Sequence, residues 1–127
     1  MLVFPLVLTS CESPKAKEEK LAKEVLQLHD EVMPKMQDMM RLKKELKKSV
    51  AELDSTNAEV ENVNKLIGDL DQADKDMMDW MHNYNGAQDL YTHDEIMQYL
   101  QAEKAKMEKI KQDTDNAINA ANTYLSK

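Results

Sequence analysis

Apolar side chains in this chain recur every three or four positions through a background that is 32% charged, and that spacing leaves few folds open. Val25, Leu28, Val32, Met36, Met39, Leu42, Leu46, Val50 and Leu53 step along one face of a first predicted helix. Asp54, Ser55 and Thr56 interrupt the pattern, and Thr56 with Glu59 has the spacing of a capping box that opens a second helix. That helix carries Val60, Val63, Ile67, Leu70, Met77, Met81 and Tyr84 and stops at Asn83-Tyr84-Asn85-Gly86, where glycine suits a left-handed residue. A second capping box, Thr92 with Glu95, starts a third helix bearing Ile96, Leu100, Met107, Ile110, Ala117, Ala121 and Leu125. With only two glycines and three prolines there is little material for hairpins or phosphate-binding loops.

The expected fold is all-α, an up-down-up three-helix bundle over 25–127 behind a leader and a charged tether. Its spans of 25–53, 57–85 and 92–125 are nearly equal, about 43 Å at 1.5 Å per residue. A first turn at Gly68 instead would set a helix of more than forty residues against one of about sixteen, which pack poorly. Pro34 cannot donate a hydrogen bond to the Asp30 carbonyl, so a kink is expected there. The register also places the acidic run Asp69, Asp71, Asp74 and Asp76 level with Lys35, Arg41 and Lys43 of the first helix and Lys104, Lys106, Lys109 and Lys111 of the third.

Residues 2–10 form an apolar segment far shorter than the roughly 20 residues a bilayer span takes. They have the character of a signal peptide, truncated at its start because no Lys or Arg precedes the apolar run. Leu8-Thr9-Ser10-Cys11 resembles the bacterial lipobox, which makes Cys11 the candidate lipidation site. Residues 11–24 then form the anchor and a charged tether lifting the bundle off the membrane. A lone cysteine excludes an internal disulfide, and palmitate-type acyl chains on it would hold the protein to a membrane, facing outside the cytoplasm.

The net charge of -7 argues against nucleic acid as a partner, since a phosphate backbone calls for a basic surface. No nucleophile with an adjacent base, no glycine-rich loop and no His-Glu-x-x-His helix is present, so no catalytic residues are assigned and the chain is expected not to be an enzyme. His29-Asp30-Glu31-Val32-Met33 and His93-Asp94-Glu95-Ile96-Met97 repeat one pattern, and Met78 stands four before His82. Each pair shares a helical face. The expected register sets His29 level with Met81, Met33 with Met77 and His82 with Glu95, bringing three His/Met pairs to one end along with Trp80, Tyr84, Tyr91 and Tyr99. Packing is the first explanation for clustered methionines. The alternative is a soft-metal site, Cu(I) before Zn, drawn from His29, Met33, Met77, Met78, Met81, His82, His93 and Met97.

The segments His29-Asp30-Glu31-Val32-Met33-Pro34-Lys35-Met36 and Met77-Met78-Asp79-Trp80-Met81-His82, with the lipobox, resemble small Bacteroidota lipoproteins labelled viral A-type inclusion protein. The resemblance implies a lipidated helical bundle of the cell envelope and carries no activity with it. The function expected is a non-enzymatic interaction module that binds an envelope protein or itself through Leu26, Met33 and Met40, which flank the main stripe of the first helix. The alternative is a periplasm-side Cu(I)-binding protein.

Overall fold

A serine followed by proline is a strong helix start: the hydroxyl takes an orphan backbone donor, and proline at the first position gives up a donor that has no partner anyway. Ser13 caps α1 (Pro14–Val32) in this way, accepting from the Ala16 amide at 3.2 Å. The computed structural model describes residues 11–127. The leader predicted over 1–10, including Leu8, Thr9 and Ser10, lies outside the described residues. Three further helices follow: α2 (Lys35–Ala51), α3 (Glu59–Asn83) and α4 (His93–Leu125). No strand occurs among the described residues.

Pro34 separates α1 from α2, yet Met33 and Pro34 both keep right-handed helical dihedrals, so the two form one interrupted rod. The Met36 amide donates to the Met33 carbonyl at 3.2 Å, a tighter turn that carries the chain across the break. The rod, α3 and α4 make the three layers of an up-down-up bundle, as the apolar spacing predicts.

The rod begins eleven residues earlier than expected. Residues 14–24, predicted as tether, are helical and pack against α4. They are rich in Ala, Glu and Lys, strong helix formers, and Leu21 and Ala22 are half-buried where the stripe runs back from Val25. The capping box at Thr56 also differs. Thr56 turns back to Asp54, its amide and hydroxyl both donating to Oδ1 at 2.9 Å, and Asn57 takes the Glu59 amide at 2.9 Å instead. The nearer acidic acceptor wins the threonine, and α3 starts from Ala58 without a side-chain cap. At Thr92 the expected cap is present, its hydroxyl accepting from the Glu95 amide at 3.3 Å.

The buried stripe of α4 runs Leu100, Glu103, Met107, Ile110, Thr114, Ala117 and Ala121, a continuous three-four repeat containing two polar residues. The core has two halves of different width. Ala73, Ala117 and Ala121 let α2, α3 and α4 approach around Leu42, Leu46, Val63 and Leu70. At the other end Met77, Trp80, Met107 and Ile110 fill the space around Val25 and Val32. There α1 lies on α4, and the backbones of α1 and α3 stay apart, spanned by long side chains.

The charge pairs follow this arrangement rather than the predicted one. Lys104 reaches Glu24 at 2.9 Å, while Lys111 pairs with Glu31 and Lys35 with Asp115, so the ladder ties α1 and α2 to the parallel α4. Every rung joins residues eighty apart in sequence. Of the cross-helix pairs predicted for the acidic run of α3, Lys43 with Asp71 forms at 2.7 Å. Lys106 and Lys109 bond within α4, to Glu103 and Asp113, and Arg41 bonds within α2, to Asp38 and Glu45.

Candidate functional site

The wide half of the bundle brings His29 of α1 against the α1-facing side of α3. Its Nε2 lies 3.2 Å from Met81 Sδ, at the level expected from the register. Its Nδ1 donates to Asp30 Oδ1 at 3.1 Å. The imidazole sits 5.7 Å from the Trp80 ring, tilted by 33°. Trp80 stacks on Tyr84 at 4.6 Å, and Tyr84 on Tyr99 at 6.0 Å, making an aromatic column across all three layers.

The far side of Trp80 is anchored by a buried acid. Its indole N–H donates to Glu103 Oε2 at 2.8 Å, and the other carboxylate oxygen accepts from Lys106 at 2.8 Å. Both charges of that arrangement are thereby paired, which a buried carboxylate requires. Tyr99 accepts from the Asn85 amide at 3.1 Å and so fixes the end of α3. Burial pushes the Tyr84 hydroxyl above its ordinary value of 10.0, with Tyr99 and Glu103 adding to the shift.

The three predicted His/Met pairs do not converge, and a single cross-helix contact, His29 with Met81, stands in their place. His82 is exposed. His93 pairs with Glu18 of α1 at 2.7 Å, and Met97 lies one turn further along α4, half-buried. Met77 is fully buried in the core, whereas Met33 and Met78 are 37% and 54% exposed. The difference is one of register. The Trp80–Glu103 and Glu59–Tyr124 bonds slide α4 between one and two turns relative to the expected alignment with α3. The slide follows from the longer rod: the first turns of α4 extend past the end of α3 to meet residues 14–24 of α1, carrying His93 with them. Tyr91, expected at the same end, is 90% exposed and takes no part in the column.

No family model, no curated protein and no solved structure matches this chain. Among the described residues no group of three His, Cys, Asp or Glu gathers in metal-binding geometry, and no helix is long and apolar enough to cross a membrane. Cys11 is exposed and free, two residues before the Ser13 cap of α1.

A second feature lies on the outside of the rod. Leu26, Met33 and Met40 are 47%, 37% and 67% exposed, as their flanking position predicts. They are spaced by seven residues, and the same spacing continues to exposed Glu19 at one end and exposed Lys47 at the other. A shallow hollow of about 510 Å³ beside Leu26, lined by Glu19, Ala22, Lys23, Gln27 and Asp30, belongs to this face. The apolar spacing identifies Leu26, Met33 and Met40 but not Glu19, which falls in the segment before Val25 expected to be a tether. The Ser13-Pro14 start signal and Leu21, seven before Leu28, are the features that would have extended the helix.

Proposed function

We propose that this protein is a lipid-anchored, non-enzymatic helical module of the bacterial cell envelope that works by pairing with a second copy through the Glu19, Leu26, Met33, Met40 and Lys47 face. The observation that carries the reading is that stripe: three large apolar side chains at a heptad interval that the bundle leaves exposed. A seven-residue apolar repeat on an exposed helix is what a second helix packs against.

The ends of the stripe select orientation. Antiparallel pairing about Met33 sets Leu26 opposite Met40 and Glu19 opposite Lys47 at both ends, whereas parallel pairing sets like charges together. Such a pair is isologous, the usual symmetry of a dimer. Anchoring is supported by Leu8-Thr9-Ser10-Cys11 and by the exposure of Cys11 two residues before the Ser13 cap of α1. In an antiparallel pair the two anchors stand at opposite ends, so a pair held by one membrane lies along its surface.

Sedimentation equilibrium of the full chain carrying Cys11→Ser tests the pairing. The expected result is a concentration-dependent monomer–dimer equilibrium that Met33→Glu abolishes. A monomer at all concentrations, or a dimer indifferent to Met33→Glu, overturns it. Anchoring is tested in cells of a bacterial host: the wild type is expected in the membrane fraction and Cys11→Ser in the soluble fraction, and equal partitioning contradicts it.

A further inference from the structure

His29 Nε2 and Met81 Sδ meet at 3.2 Å, a contact that is a hydrogen bond only when Nε2 carries a proton. Asp30 accepts from His29 Nδ1. A carboxylate is acceptor-only when ionised, so it holds the neutral imidazole in the tautomer with its proton on Nδ1. The lone pair of Nε2 then faces the thioether sulfur of Met81 at 3.2 Å. Two electron-pair donors turned toward each other are a poor contact and a good chelate. An oriented imidazole whose second nitrogen bonds a carboxylate is also the arrangement in which histidines bind metals.

We propose that His29 Nε2 and Met81 Sδ form a Cu(I) site backed by Trp80. A thioether with an imidazole, and no thiolate or third hard ligand beside them, suits a soft monovalent ion and does not suit Zn(II), which takes four ligands. Bonds of roughly 2.0 Å to nitrogen and 2.3 Å to sulfur, the lengths met at zinc sites, need the two atoms about 4 Å apart for a near-linear geometry. The unbranched methionine side chain supplies that adjustment by rotation about its own bonds. The Trp80 and His29 ring centroids lie 5.7 Å apart, which puts the indole beside the proposed site. Trp80 is held in place by its bond to Glu103, so the face is fixed before the ion arrives. His29 remains 23% exposed, which leaves a way in from solvent.

The test is titration of the full chain carrying Cys11→Ser, so that no thiol competes, with Cu(I) under ascorbate against a chromophoric chelator. The expected result is one equivalent bound with quenching of Trp80 fluorescence. Met81→Leu, which preserves packing, and His29→Gln each weaken binding at least about tenfold, while Met97→Leu, in the first turns of α4 and outside both the pair and the exposed stripe, leaves it unchanged. Zn(II) at equal concentration does not displace the ion. Absence of binding by the parent chain, unaltered affinity in Met81→Leu or His29→Gln, or displacement by Zn(II) overturns the proposal, and circular dichroism of each variant separates loss of ligand from loss of fold.

Discussion

Thr114 is the least comfortable residue in the bundle. Its side chain is fully buried on the inner face of α4, and its hydroxyl has no hydrogen-bond partner. A buried hydroxyl left unpaired costs on the order of 1–3 kcal/mol, so Thr114→Val, nearly the same shape without the oxygen, is expected to raise stability by about 1 kcal/mol in urea denaturation. Glu103 is the opposite case, a buried acid whose oxygens are both satisfied, by Trp80 and by Lys106. Trp80→Phe strips one partner and is expected to cost about 1–3 kcal/mol. Adding Glu103→Leu to that variant should recover part of the loss, because removing both halves of a buried polar pair costs less than removing one. Additive losses in the double variant would show that the bond is not coupled in this way. These two positions also mark where the sequence is opaque at the residue scale. Polarity hides Glu103 and Thr114 from an apolar pattern, although they complete the three-four repeat between Leu100 and Ala121 without a gap.

At the scale of elements, helix type and number are legible because each helix buries a stripe, and stripes are periodic. Boundaries are less so. α3 stops at Asn83 and α1 starts at Pro14, and both depend on competition among neighbouring polar groups that periodicity does not describe. Asp54, two residues from Thr56, outcompetes Glu59, three residues away. Gly86 behaves as its type suggests, with φ of +66°, and Ala87 follows it at +63°, where its amide is held by Asn85 Oδ1 at 3.1 Å. Gly68 has no such reason: it lies inside α3, exposed, with open space where a Cβ would stand. Gly68→Ala is therefore expected to stabilise the bundle by about 0.5–1 kcal/mol through lower unfolded-state entropy, read as a higher urea midpoint at unchanged slope. A destabilised variant would mean that something packs against that face.

For the molecule as a whole, the charge ladder that couples the two parallel layers gives stability its pH dependence. Lys104 holds the Glu24 carboxyl below its ordinary 4.5, through its hydrogen bond and its charge, and Glu24 in turn raises Lys104 above 10.5, as Glu31 raises Lys111. A depressed carboxylate contributes stability above its unfolded value and loses it as pH falls through the folded one. A raised lysine contributes below 10.5 and loses it as pH rises further. The melting temperature is accordingly expected to hold between about pH 5 and 10 and to fall on both sides, with the acid limb less steep in Glu24→Gln. Salt should lower it within that window, since the rungs are open to solvent. The ladder itself was not legible from the chain, because facing charges depend on which helices run parallel and how far each extends. The meeting of His29 and Met81 was legible, since it follows from the turn between the rod and α3, whereas the positions of His82 and His93 depend on the α3–α4 alignment that the longer rod displaces. Pairing through the exposed stripe, as proposed, is read by pairwise cysteine trapping. In chains carrying Cys11→Ser, Met33→Cys at the proposed two-fold axis is expected to form a disulfide dimer on mild oxidation, and Leu26→Cys to pair with Met40→Cys and not with itself. No Met33→Cys dimer, or Leu26→Cys trapping itself as readily as it traps Met40→Cys, would contradict it.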